Sequence, residues 1–157
     1  LIVAGSVLGS SGLSSRLGDR VRQKEGLAYG VGAFIHADNV DSRGSISLYA
    51  SCNPDNMEKV ETAIKEELAL LISKGITAEE LANAQKGYLE QQEVSRTSDS
   101  SLASILATNL FANRDMTYYS ELETKVNAVT ADAARQAFAK YIDPANLIIT
   151  VSGSLKQ

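Results

Sequence analysis

One cysteine, Cys52, and one histidine, His36, are all that this 157-residue sequence holds of two residue types on which much nucleophilic and zinc chemistry depends. A single cysteine excludes an internal disulfide framework. A hydrolytic zinc site needs about three protein ligands and an open position for water, and one histidine, one cysteine and scattered carboxylates supply that at no recognisable spacing. The one histidine also leaves one possible base for any serine, and no Gly-x-Ser-x-Gly elbow presents a serine to it, so His36 is read as a hairpin residue. Basic charge is short as well. The 15 Lys and Arg against 19 Asp and Glu give a net charge of -4, where nucleic-acid binding wants a basic face. No apolar run is long enough to span a bilayer, and no block of like charge marks a disordered tail. Gly9-Ser10-Ser11-Gly12 reads as a flexible turn and not a phosphate loop, because no Gly-Lys-Ser/Thr follows it.

What is present is enough for one ordinary domain with a packed core, at 44% apolar content. Leu1 to Leu8 reads as a helix end or a strand. It lacks a basic n-region, so it fits a signal peptide poorly, and opening in mid-pattern on Leu suggests a piece of something longer. A helix is expected from Ser14, as its cap, to Lys24, with Gly26 as a left-handed stop. Residues 27–37 read as a strand unusually rich in small residues. Its glycines offer either an edge for an extended peptide or close packing of a helix, and both stay open. Asp38 to Gly44 is a turn. In strand 44–52, Ile46, Leu48, Ala50 and Cys52 alternate with Ser45, Ser47, Tyr49 and Ser51, so one face is core, with Cys52 as a small buried hydrophobe.

Asn53-Pro54 starts a helix with Met57, Val60, Ile64, Leu68 and Leu71 on one stripe, ending at Gly75. Thr77 to Glu80 is a capping box for the next helix. After a polar break over 95–101, helix resumes with Leu102, Ile105, Leu106 and Leu110, and again from about Tyr118 through Val126. Thr130 caps one more, stopped at Asp143-Pro144. Leu147 to Val151 is β-branched and reads as a buried final strand. Glu66-Glu67, Glu79-Glu80 and Asp19 read as solvated helix faces paired with lysines. The sum is α+β, with helices packed on a mostly antiparallel sheet.

The stretch Ser14-Ser15-Arg16-Leu17-Gly18-Asp19-Arg20-Val21-Arg22-Gln23-Lys24-Glu25-Gly26-Leu27-Ala28-Tyr29 carries the strongest functional candidates. A guanidinium at Arg22 offers five donors for peptide carbonyls or a carboxylate, and the phenol of Tyr29 can donate to an oxyanion. The plain alternative is that Arg22 pairs with Glu25 and Tyr29 is an ordinary strand aromatic. Together with Leu8-Gly9 and Gly30-Val31-Gly32-Ala33, this run resembles the C-terminal-half signature of the M16 (pitrilysin, or mitochondrial processing peptidase-like) zinc metallopeptidases. In that family one half carries zinc on an inverted His-x-x-Glu-His helix, where zinc-activated water attacks the scissile carbonyl. The other half carries an Arg-Tyr pair that closes over the substrate.

The resemblance implies that residues 1–157 are a single domain, the C-terminal portion of an M16-type module that is incomplete at its N-terminus. It implies that Arg22 binds substrate backbone and that Tyr29 binds substrate and helps stabilise the oxyanion. No His-x-x-Glu-His occurs in this sequence, so the chain by itself is expected to be inactive and to hold no metal, with zinc in a partner half. The implied partners are that half, fused or separate, and a peptide or protein substrate, with no nucleic acid and no membrane span. Two alternatives stand beside this reading: a structural subunit that has lost catalysis, and a module that binds peptide at the glycine-rich edge. Bacterial relatives occur in periplasm and cytoplasm, and the resemblance leaves both open.

Overall fold

In the computed structural model, residues 1–38 and 40–153 are described. The first element, α1 (Ile2–Gly5), widens without a break into a π-helical stretch, Ser6–Ser10. Gly9 and Ser10, expected in a flexible turn, therefore belong to a helix. The reason is burial: Val3, Ala4, Val7 and Leu8 form one apolar face, and Gly9 continues it against the first strand. A 3-10 turn, Gly12–Ser14, leads to a second helical run that begins at Arg16 and is π-helical over Gly18–Lys24. Its cap is Ser15, not Ser14. The buried Ser15 hydroxyl accepts the Gly18 N–H at 3.1 Å and donates to the Gly12 carbonyl at 2.5 Å. Gly26, at φ +60°, ends the run as expected, and the Leu27 N–H returns to the Val21 carbonyl at 2.8 Å.

Two strands follow, β1 (Ala28–Ala37) and β2 (Gly44–Cys52), paired antiparallel with Val31 opposite Ala50, Ala33 opposite Leu48 and Ile35 opposite Ile46. In the connecting turn, which also contains Asn39 outside the described residues, the Asp38 carboxylate accepts the N–H groups of Val40 and Asp41 at 2.8 and 2.9 Å. Those backbone donors, Asp41 foremost, hold the Asp38 carboxyl below its ordinary range. The alternation of β2 is as read from sequence: Ser45, Ser47, Tyr49 and Ser51 are exposed, while the other face packs against the core. Cys52 differs from expectation in being only half-buried, at the margin of that core.

The remaining chain is helical: α2 (Met57–Lys74), α3 (Ala78–Ser95), α4 (Asp99–Phe111), α5 (Thr117–Asn127) and α6 (Ala131–Tyr141). Asn53 accepts the Asp55 N–H ahead of α2, Thr77 and Glu80 close a reciprocal capping box on α3, and Thr130 caps α6. Leu68 and Leu71 from α2 and Phe138 from α6 are fully buried with Leu8, Leu17 and Val21, which tie the two N-terminal helices to the α2–α6 pair under the hairpin. This is an α+β fold with a two-stranded antiparallel sheet. No helix of the described residues is long and apolar enough to cross a membrane.

The expected final strand fails. Leu147 to Val151 is not a buried strand: it forms no ladder among the described residues, and Ile148 is 95% exposed. A β-branched run becomes a strand only beside a partner edge, and none lies alongside it. In α4, Leu102 and Ile105 are half-buried, while the apolar residues toward its C-terminal end are turned outward. Leu110 and Phe111 are 84% and 78% exposed, while Asn109 is buried and its amide donates to Met116 Sδ. The helix is apolar on most sides, so its sequence does not specify which face turns inward.

Candidate functional site

Arg22 and Tyr29 stand on either side of the Gly26 turn, Arg22 in the π-helical run and Tyr29 at the start of β1. Both are exposed, and no hydrogen bond joins them among the described residues. The partner that the plain alternative gave Arg22 is occupied elsewhere. Arg20 donates through Nε to Glu25 at 2.8 Å, through Nη1 to Glu67 at 3.1 Å and through Nη2 to Glu66 at 2.5 Å. These carboxylates, Glu25 foremost, raise the Arg20 pKa above its already high ordinary value. Arg16 in turn grips both Glu80 oxygens, at 2.7 and 2.8 Å, and the Gly75 carbonyl at 2.8 Å. Its guanidinium holds the Glu80 carboxyl below the ordinary range.

The solvated-face reading holds for Glu79, which is exposed, and is corrected for the other three: Glu66, also exposed, Glu67, which is buried, and Glu80 of α3 pair with arginines of the second helical run instead of lysines. Asp19 does pair with a lysine, Lys24 at 2.6 Å, at the five-residue spacing that a π-helix aligns. Of the seven arginines, Arg16, Arg20, Arg43, Arg96 and Arg135 make ion pairs and Arg114 lies over the Tyr118 ring. Arg22 alone has no hydrogen bond, ion pair or ring contact among the described residues. Its side chain is exposed.

Tyr29 owes its position to an irregularity that no sequence pattern announced. Ala28 faces Cys52 and Gly30 faces Ser51, so Tyr29 is the extra residue of a β-bulge. A bulge bends the strand and re-aims the side chain it carries. The phenol is 76% exposed, and its hydroxyl has no hydrogen-bond partner among the described residues.

The glycine-rich strand resolves in favour of helix packing. A Cβ added at Gly9 would lie 2.5 Å from the Ala33 nitrogen, and the Ser10 hydroxyl donates to the Ala33 carbonyl at 2.6 Å. At its centre, the edge of β1 that a peptide strand would have used is closed by the chain's own helix. His36 is exposed, and its imidazole makes no hydrogen bond to Asp38 or to Ser45, its cross-strand neighbour, among the described residues. Cys52 lies at the far end of the hairpin on the opposite face. No group of three His, Cys, Asp or Glu among the described residues is placed to hold a metal ion, so a zinc site does not fit this chain.

Comparison with known proteins agrees with this picture. The family model described as the peptidase M16 inactive domain matches residues 1–88. An uncharacterized zinc protease of Bacillus subtilis, YmxG, is 33% identical over 159 residues, covering 99% of this chain and 38% of that protein. An uncharacterized zinc protease of Mycobacterium leprae is 41% identical over 78 residues, covering 50% of this chain and 17% of that protein. Among solved structures, a peptidase M16 inactive domain from Pseudomonas fluorescens superposes with a TM-score of 0.78 at 22% identity, over 91% of this chain and 34% of that one. A protease from Helicobacter pylori gives 0.74 at 22% identity, over 89% of this chain and 33% of that one. The chain thus spans well under half the length of these relatives.

Proposed function

Because this chain belongs to the peptidase M16 inactive-domain family, we propose that it is the substrate-clamping, non-zinc part of a metalloendopeptidase, the C-terminal portion of an M16-type module in a longer protein. The metal is assigned to the other half, fused or separate, since these residues do not fit it. The Arg22 guanidinium binds backbone carbonyl oxygens of an extended peptide. The Tyr29 hydroxyl donates a hydrogen bond to the scissile carbonyl oxygen as negative charge develops there. Held on a strand, the phenol pays little reorganisation at the moment of reaction, and enclosure between two halves would strengthen the bond by excluding water.

The observation that carries this reading is the free state of both groups: Arg22 is the unpaired arginine beside two that are fully engaged, and the bulge presents Tyr29 to solvent. An ordinary surface arginine in this acidic neighbourhood would find a carboxylate, and Glu25 three residues away is instead committed to Arg20. The test is hydrolysis of quenched fluorescent peptides by the complete protein with zinc in its partner half. Tyr29→Phe, which removes one donor, is expected to lower kcat roughly 10²–10³-fold with KM little changed. Arg22→Ala is expected to act mainly on KM. Full activity in both variants would refute the clamp and leave the chain as a structural subunit.

A further inference from the structure

Tyr29 is the residue of β1 that the ladder skips. Gly30 faces Ser51 and Ala28 faces Cys52, so the direction of the Tyr29 side chain depends on how the backbone before it is fixed. That backbone is held at Leu27. The Leu27 N–H donates at 2.8 Å to the carbonyl of the fully buried Val21, the residue before Arg22. The Leu27 carbonyl lies one residue outside the strand, beyond the Ala28–Cys52 pair, and accepts from Asn56 Nδ2 at 3.2 Å. Leu27 is therefore the joint between the two members of the proposed clamp, and a side chain 29 residues away holds one side of it.

Local structure brings Asn56 there. β2 ends at Cys52, opposite Ala28, and the 3-10 turn Pro54–Asn56 follows at once. Asn53 organises that turn: its side chain accepts the Asp55 N–H at 3.0 Å and its carbonyl accepts the Asn56 N–H at 2.9 Å. Asn56 then stands at the N-cap of α2, where asparagine ordinarily accepts a backbone N–H of the first turn. It makes no such bond. Its half-buried amide is directed at the Leu27 carbonyl instead.

Resting on the clamp reading above, we propose that Asn56 is a positioning residue for Tyr29. Through the Leu27 carbonyl it fixes the backbone from which the bulge aims the phenol, and so sets that hydroxyl relative to the Arg22 guanidinium. A donor for a developing oxyanion works only if its place is set beforehand, and a displacement of about 1 Å costs up to roughly 10²-fold in rate. Asn56 acts through Leu27 and not on the peptide, so its effect falls on kcat and leaves KM nearly as it was.

A bond that only steadied the junction of β1 and α2 would show in stability alone, and two replacements separate the roles. Asn56→Asp keeps the size and capping preference of the residue but, ionised, has no donor. Asn56→Ser is also a preferred cap, and its hydroxyl falls one bond short of the amide it replaces. In the complete, zinc-loaded protein, hydrolysis of a quenched fluorescent peptide is expected to show kcat lowered about 10–10²-fold in both, with KM changed by less than about twofold. The urea midpoint should fall little, because either new side chain is free to cap α2. Combined with Tyr29→Phe, each is expected to lower kcat by less than about twofold further, since the group being positioned has gone. A ring-fluorinated tyrosine at position 29 gives a readout without turnover, and its fluorine resonance is expected to shift or broaden in both variants. Where Tyr29→Phe is impaired, an unaltered kcat in both folded Asn56 variants overturns the positioning role, as does an equal loss with and without the Tyr29 hydroxyl. An unmoved resonance overturns it in any case. Failure of the clamp reading shows differently: Tyr29→Phe then cleaves at full rate while the resonance still responds to Asn56.

Discussion

Replacing Gly9 with alanine tests the contact that closes the edge of β1. The added Cβ would sit 2.5 Å from the Ala33 nitrogen, 2.7 Å from the Ala33 Cβ and 2.9 Å from the Gly32 carbonyl carbon. These fall about 1 Å short of ordinary contact, and two of the three are backbone, which cannot swing aside. Helix and strand must therefore part. Overpacking of this kind costs about 1–3 kcal/mol, and parting them also strains the Ser10–Ala33 hydrogen bond, whose loss adds about 1 kcal/mol. Against this stands the helix preference for alanine, about 0.5–1 kcal/mol. The net is destabilisation of about 1–3 kcal/mol, which for a chain of this size is a fall in the urea midpoint of about 0.5–1.5 M. Gly87→Ala is the matched control. That glycine lies within α3 with nothing within 4 Å of its added Cβ, so only the helix gain of about 0.5–1 kcal/mol remains and the midpoint should rise. Urea titration followed by far-UV circular dichroism reads both. If Gly9→Ala leaves the midpoint unchanged or raises it, the helix does not press on β1 as described. The edge would then be open to an added strand.

Ser15→Ala removes a buried cap and takes the side-chain acceptor from the Gly18 N–H, and should cost about 1–2 kcal/mol by the same titration, against little for the exposed Ser14→Ala. Phe138→Ala, at a fully buried position between α6 and α2, should cost about 3–5 kcal/mol. Glu80 sets an acid limb: because Arg16 depresses its folded-state pKa below the ordinary 4.5, its contribution is complete above that value and is lost as pH falls through the folded pKa. Glu80→Gln should therefore be less stable at neutral pH yet lose less on acidification below about pH 4.5, seen in melting temperature against pH. Equal acid limbs in the two proteins would show that the Arg16 contact does not persist in solution.

The parts of this molecule that were legible in its sequence are those fixed by local chemistry. Capping at Asn53, Thr77 and Thr130, the left-handed stop at Gly26 and the alternation of β2 each depend on residues within one turn or one strand, and each appears where the sequence placed it. What was not legible shares a different cause. Leu147 to Val151 has strand composition but no neighbouring edge among the described residues, and α4 has apolar residues on too many sides to choose a face. In both, the deciding information lies in what packs against the segment. The same holds for the acidic pairs, which looked solvated because their arginine partners are 46 to 64 residues away.

The candidate site divides along that line. Arg22 and Tyr29 could be named from the sequence because a recognisable run contains them, but their exposed, unpartnered state could not. It depends on Glu25 being drawn to Arg20 and on one extra residue in β1, neither of which a local pattern encodes. The two facts are linked through packing. With Arg20 turned toward Glu66 and Glu67 of α2, the π-helical run sends Arg22 to the exposed side, and the bulge that follows Gly26 aims Tyr29 outward. Loosening Arg20 should therefore reach the proposed clamp without touching it: Arg20→Ala frees Glu25 as a partner for Arg22. Peptide binding by the complete protein should then weaken, and Glu25→Gln in the same background should restore it. Rescue by a substitution that cannot repair the Arg20 network would assign the loss to capture of Arg22, whereas failure of rescue in a folded double variant would show that Arg22 is not held free in the way argued.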